Sequence, residues 1–251
     1  MEIWHIPVVF IVGIIAGFIN TLAGGGSLLT LPILIFLGLP TAVANGTNRL
    51  AIIAQCLFAV AGFKRKGVSN FRLSLLLSAP ALLGAIIGAQ LAVDISDILF
   101  KRILAVILLL VLALILWNPR QNSVCNLISQ GRNHLIITMI IFFFIGFYGG
   151  FIQIGVGFII IAALTAITGL NLVETNSHKV FIVGIYTIFA LIVFAFNGKI
   201  CWAMGLCLAA GMGLGGWIGS HWAVARGERW IRMALTICVI AMVVKLLFGV
   251  Q

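Results

Sequence analysis

The sequence predicts an all-α polytopic membrane protein made of two five-segment repeats in inverted topology. Three observations point there. Of 251 residues, 63% are hydrophobic and only 8% are charged, with a mean hydropathy of +1.27, so too few polar side chains remain to cover a water-facing surface. Apolar runs recur along the whole chain and, as in "RILAVILLLVLALILW", do not alternate, which favours spanning helices over the strands of a barrel. The second half of the chain also repeats the first at a spacing of 131 residues.

About ten helical segments follow from the apolar runs. The first copy, residues 1–117, holds 6–22, 28–37, 48–63, 72–92 and 99–117. A polar linker, "NPRQNSVCNLISQGRN" (118–133), precedes the second copy, residues 134–251. That copy holds 134–152, 158–168, 179–196, 202–222 and 230–248. Segment 6–22 has no basic stretch before it and no A-x-A-like site after it, so it reads as a mature helix and not a signal peptide. Segments 28–37 and 158–168 are only about 15 Å long, half a bilayer core. Each follows a glycine cluster, in "TLAGGGS" (21–27) and "IQIGVGF" (152–158).

The 131-residue shift needs no gap. It lays Gly24 on Gly155, Gly26 on Gly157, Gly38 on Gly169, Asn45 on Asn176, and Gly67 on Gly198. Gly84 and Gly88 fall on Gly215 and Gly219, Asp97 on Glu228, and Lys101 on Arg232. Between 24 and 101 six of nine glycines meet a glycine, where composition alone predicts about one. Five segments per copy is an odd number, so the second copy enters the membrane reversed.

The charges agree with inversion. "KRKG" (64–67) carries three basic residues and its counterpart "NGKI" (197–200) one. "RGERWIR" (226–232) carries three basic residues and one acid, whereas Asp94 to Lys101 carries two acids and one base. The positive-inside rule then places 64–72, 118–133 and 226–229 in the cytoplasm and both termini outside. The net charge of +10 thus reads as topology signalling and headgroup contact, not nucleic-acid binding. Trp4, Trp117, Trp202, Trp222 and Trp230 sit at segment ends, as interfacial rings do. Of Cys56, Cys125, Cys201, Cys207 and Cys238, four lie in apolar segments without metal-ligand spacing and read as packing residues.

Two polar clusters lie at membrane depth, one per copy. "TLAGGGS" goes with "ANGTNRL" (44–50), and "IQIGVGF" with "TNSHKVF" (175–181). Glycine lets backbone approach a ligand, and a helix start offers unpaired N–H groups and a positive dipole end. Asn45, Thr47, Asn48, Asn176 and Ser177 can cap those starts or donate to an oxyanion. Arg49 and Lys179 add one buried cation per copy, and ionisable residues inside a membrane are functional candidates. Gly24, Gly25, Gly26, Ser27, Gln153, Gly155 and Gly157 complete the candidate anion site. His178 and Glu174 are the candidates for proton coupling. Gly84 with Gly88 and Gly215 with Gly219 form small-xxx-small patterns and read as helix packing. Gln55 and Cys56, further along the third segment, also read as packing. No catalytic, metal or cofactor motif stands out.

The segments "GFINTLAGGGSLLTLPILIFLGLPTAVANGTNRLAI" (17–52) and "YGGFIQIGVGFIIIAALTAITGLNLVETNSHKVFIVGIYT" (148–187) resemble the two half-signatures of the sulfite exporter TauE/SafE family, also called the toluene sulfonate uptake permease family. The resemblance rests on Gly24, Gly25, Gly26, Pro32, Asn45, Gly46, Thr47, Asn48 and Arg49 in the first half. In the second it rests on Gly155, Gly157, Asn176 and Lys179. The chain departs from the pattern at Ser177 and His178. The resemblance implies a secondary transporter of sulfur-containing anions such as sulfite, sulfoacetate and aromatic sulfonates.

The expected activity is therefore export of a small sulfur oxyanion by alternating access at a midplane site. The alternatives are an anion channel, or a proton- or sodium-coupled organosulfonate importer. The expected partners are the anionic substrate and the lipid bilayer, with no nucleic acid; a homodimer is compatible with this reading.

Overall fold

The structure, a computed structural model, describes residues 5–68, 71–100, 102–103 and 132–248. Among these the chain is helical, without strands. The order is α1 (His5–Leu22), α2 (Ser27–Phe36), α3 (Thr41–Arg65), α4 (Phe71–Asp94), α5 (Arg132–Phe151), α6 (Val156–Thr168), α7 (Leu172–Phe196) and α8 (Trp202–Phe248). Gly227 interrupts α8 with a non-helical backbone (φ 71°, ψ −168°), near the boundary expected between the last two segments. Most of the expected fifth segment, most of the linker, and Trp4, Lys101, Trp117 and Cys125 lie outside the described residues, as do the side chains of Glu228, Trp230, Arg232 and Cys238.

Among the described residues, four stretches are long and apolar enough to cross a membrane: Thr41–Arg65, Phe71–Asp94, Leu172–Phe196 and Trp202–Gly227. Helices α2 and α6 are short, at 10 and 13 residues.

Helices α3 and α7 begin seven residues earlier than the apolar pattern suggests, and their caps explain why. The Asp97 carboxylate takes the Thr41 N–H at 3.2 Å and also the Thr41 hydroxyl, which closes the start of α3. Asn171 accepts the Glu174 N–H at 3.0 Å and closes the start of α7. Such caps contribute about 1 kcal/mol each. The clusters "ANGTNRL" and "TNSHKVF" therefore lie inside long helices and do not cap them. Trp222 likewise lies within α8, edge-on to Phe18 at 5.6 Å, and not at a helix end.

Each half completes the other. Helix α1 packs most extensively on α8, and α5 on α4; α3 also packs on α8 and α7 on α4, while α3 and α7 meet at the centre. Small residues permit this approach. A Cβ on Gly84 or Gly88 would strike the α5 backbone at Phe143 or Phe147, and one on Gly215 the α1 backbone at Ile14.

Helices α3 and α7 are both 25 residues long and start 131 apart (172 minus 41). Gly24, Gly38 and Gly67 have positive φ, as do Gly155, Gly169 and Gly198 at the same spacing.

Candidate functional site

The first break runs from Leu22 to Ser27 and turns at Gly24 (φ 84°). Gly26 then lies against Ala16 and the Asn20 side chain, so the chain doubles back along α1. The second break runs from Phe151 to Val156 and turns at Gln153 (φ 65°) and Gly155 (φ 67°). The two breaks cross. A Cβ on Gly24 would strike the Cα of Gly157, and one on Gly157 the Cα of Gly24.

A helix that stops at membrane depth leaves its last four carbonyls without partners, and no water is there to take them. At the end of α1 the Ile19 carbonyl accepts the Ala23 N–H at 2.7 Å. Lys179 Nζ, from α7, donates to the Asn20 and Thr21 carbonyls at 2.9 Å each. Asn176 Nδ2 donates to the Leu22 carbonyl at 3.0 Å. At the end of α5 the Tyr148 carbonyl accepts the Ile152 N–H at 3.0 Å. Arg49 Nη1, from α3, donates to the Gly149 carbonyl at 3.1 Å and Arg49 Nη2 to that of Gly150. Asn45 Nδ2 takes the Phe151 carbonyl at 2.7 Å.

Every carbonyl at both ends is thus satisfied, and each cation comes from the other half of the chain. Burying a lone charge costs several kcal/mol. Here the negative ends of two helix dipoles and charge-assisted hydrogen bonds offset it. The partners shown for Arg49 and Lys179 are carbonyl and amide oxygens, plus the Phe194 ring, which lies 4.7 Å from the Arg49 guanidinium carbon. The capped sets, 20–22 and 149–151, are 129 residues apart, whereas α3 and α7 are 131 apart. The ungapped register therefore breaks between them, where the longer α6 takes up extra residues.

A cavity of about 10 Å³ lies where the breaks cross. That is room for about one water and not for a four-atom oxyanion. Its polar wall is Asn20, Ser27, Gln55, Gln153 and Lys179; Ile52, Val180 and Val183 form an apolar side. Ser27, Val156 and Gly157 bring the first turns of α2 and α6 to it, although the Leu28, Leu29 and Thr30 N–H groups already donate to the Gly25 and Gly26 carbonyls and that of Phe158 to the Gly155 carbonyl. No carboxylate lines it. Ser27 is buried, and none of the hydrogen bonds among the described residues engages its hydroxyl.

Of the residues singled out from the sequence, Gly24, Ser27, Gln153, Gly157 and Lys179 thus line one cavity. Gly25, Gly26 and Gly155 shape the breaks beside it. Arg49, Asn45 and Asn176 act on the helix ends. Arg49 also reaches Gln153 Oε1 at 3.0 Å, and Gln153 Nε2 reaches the Thr187 hydroxyl at 2.8 Å. Thr47 lies elsewhere: its hydroxyl accepts the Cys201 N–H at 2.9 Å, next to the start of α8. Asn48 Oδ1 accepts the Thr30 hydroxyl at 2.6 Å. Asn48 Nδ2 and Arg49 Nε remain buried donors without partners.

Ser177 donates to the Val68 carbonyl at 2.9 Å, and His178 Nδ1 pairs with the Ser74 hydroxyl at 2.7 Å, joining α7 to α4. Glu174 is half-buried in the first turn of α7. Neither His178 nor Glu174 lines the cavity. Among the described residues no cluster of His, Cys, Asp or Glu is arranged to hold a metal.

Sequence reasoning missed Asn20 and Gln55. Asn20 Nδ2 donates to Gln55 Oε1 at 2.7 Å, Gln55 Nε2 to the Thr21 hydroxyl at 2.7 Å, and the Gly26 N–H to Asn20 Oδ1 at 3.2 Å. The signal was present: Gln55 stands seven residues after Asn48, on the same helical face.

A family profile described as sulfite exporter TauE/SafE matches residues 9–246. A probable membrane transporter protein of Haemophilus influenzae is 30% identical over 243 residues, covering 97% of this chain and 94% of the relative. The probable membrane transporter protein YfcA of Escherichia coli K12 is 30% identical, covering 96% of this chain and 89% of the relative. The probable membrane transporter protein ORF9 of a Sinorhizobium species is 29% identical, covering 95% and 90%. No solved structure matches. With a match across nearly its whole length, this chain belongs to the sulfite exporter TauE/SafE family of membrane transporters.

Proposed function

We propose that this transporter carries a small sulfur-containing oxyanion, sulfite or an organosulfonate, outward across the bacterial inner membrane by alternating access. One observation carries the reading: the Lys179 ammonium and the first turns of α2 and α6 meet at one buried cavity that no carboxylate lines. Helix N-termini and a buried cation favour an anion and disfavour a cation. The cavity holds about one water, so a ligand enters only when the two breaks move apart. That fits a site closed between two accessible states better than an open channel. The unpartnered Asn48 Nδ2 and Arg49 Nε are donors in reserve for the separated state.

The two copies are read as inverted across the bilayer, with the basic stretches 64–72, 118–133 and 226–229 cytoplasmic and both termini periplasmic. An organosulfonate is anionic at every physiological pH, so a membrane potential negative inside favours its exit without a coupling ion.

Purified protein in liposomes tests the reading with sulfite, sulfate, taurine, sulfoacetate and toluene sulfonate. Saturable flux with counterflow of at least one is expected. Ser27→Ala should weaken it about tenfold at unchanged thermal stability. Flux that never saturates would make the protein a channel. If none of these anions is bound or carried, the oxyanion reading fails.

A further inference from the structure

We infer that the bodies that move against each other in transport are not the two sequence halves. They are two bundles that have exchanged a helix: α1, α2, α3 and α8 in one, and α4, α5, α6 and α7 in the other. The inference rests on the alternating-access reading above and names its moving parts and its hinges.

The packing draws the boundary. Helix α8 comes from the second half, yet it packs on α1 and α3 far more than on α7. Helix α4 comes from the first half, yet its extensive contacts are with α5 and α7. The short helices stay with their neighbours, α2 with α1 and α3, and α6 with α5 and α7. Inside the bundles backbones interlock. A Cβ on Gly17 would strike the α8 backbone at Met212, one on Gly216 the α3 backbone at Gln55, and one on Gly146 the α4 backbone at Ala81. Surfaces that close cannot slide without clashes. Helix α7 is tied to α4 by the stacked rings of Phe71 and Phe181, with centroids 4.6 Å apart.

Between the bundles the ties are of another kind. Lys179 and Asn176, in one bundle, hold the end of α1 in the other. Arg49 and Asn45 hold the end of α5 in the opposite direction. A hydrogen bond to a carbonyl can be handed to water once a wet gap opens, whereas interlocked backbones have no such exchange. The two breaks belong to different bundles, so parting the bundles parts the breaks and opens the cavity.

The chain supplies the hinges. Among the described connections, only two lead from one bundle to the other, between α3 and α4 and between α7 and α8. Gly67 lies in the first and Gly198 in the second, 131 residues apart (198 minus 67). Both have positive φ (77° and 63°), and an added Cβ at either would meet nothing within 4 Å. Free backbone rotation in open space is what a hinge needs.

Spin-label distances test the moving bodies, on full-length protein with its native cysteines replaced by serine. Labels go on exposed positions of α1 (Ile6), α4 (Leu91), α5 (Phe144) and α8 (Ile218). The probes are sulfite, sulfate, taurine, sulfoacetate and toluene sulfonate. With an anion that the liposome assay shows to be carried, Ile6 to Leu91, in one half but different bundles, should shift by several ångström. Ile6 to Ile218 and Leu91 to Phe144, each in one bundle but different halves, should stay fixed. The reverse pattern, or no shift in any pair, would overturn the exchanged bundles and leave the transporter reading standing. If none of the five anions is carried, that reading fails and the inference with it. Turnover tests the hinges. Gly67→Ala and Gly198→Ala should each lower it several-fold. Gly38→Ala, which has the same positive φ and open space but lies within one bundle, should leave it near that of the parent. Equal turnover in all three variants would overturn the hinges.

Discussion

Gly24 and Gly157 cross with their backbones in contact, each occupying the space where the other's Cβ would stand. The crossing joins two helix breaks that are more than a hundred residues apart in sequence, and it closes the cavity on one side. Gly157→Ala should therefore lower thermal stability in detergent by about 1–3 kcal/mol, the usual range for overpacking. Gly38→Ala is the contrast, because Gly38 has a positive φ (89°), which Gly157 does not, and has nothing within 4 Å of the added Cβ. It should cost only about 1 kcal/mol of backbone strain. Equal losses in the two variants would mean that the crossing is not tight.

Arg49 is a structural cap first. Arg49→Met would leave the Gly149 and Gly150 carbonyls of α5 without partners in a waterless region. A loss of about 2–4 kcal/mol in stability is expected, read as a lower unfolding temperature. Ser27→Ala should leave that temperature unchanged while weakening anion binding. A stable, folded Arg49→Met protein that has lost only binding would show that the arginine contacts substrate.

Cys56 reports on opening. Its thiol is buried at the cavity wall. In a variant that keeps only this cysteine, a charged methanethiosulfonate reagent should react slowly at rest. It should react several-fold faster under conditions of transport. A rate indifferent to substrate would argue against separation of the breaks.

His178 joins α7 to α4 through Ser74, away from the cavity. His178→Asn should cost about 1 kcal/mol, one buried hydrogen bond, and should leave the pH profile of transport in place. A flattened profile at intact stability would give His178 a part in proton coupling.

The membrane class and the broken helices were legible because hydropathy and glycine clustering act locally. Asn45, Asn176, Arg49 and Lys179 were legible as unusual but not in their roles. Their partners are carbonyls of helices a hundred or more residues away, and no spacing rule reports which helix end a buried cation will meet. The starts of α3 and α7 were misplaced for a related reason. Asp97 caps Thr41 from 56 residues away, and the polar run "ANGTNRL" conceals a continuing helix. Gln55 was passed over because a glutamine on an apolar helix looks like packing until Asn20 is placed beside it. The ungapped 131-residue register held for α3 and α7 but not for the helix ends, since α2 and α6 differ in length.

The reciprocal caps also set an order of assembly. Lys179 is synthesised 159 residues after Asn20, whose carbonyl it takes. While a ribosome is still making the second half, the end of α1 waits in the bilayer without its cation or Asn176. The second half, by contrast, finds Asn45 and Arg49 already in place when α5 arrives. A nascent chain stalled between the halves would hold an unfinished helix end at membrane depth, exposed to quality-control proteases until its other half is delivered.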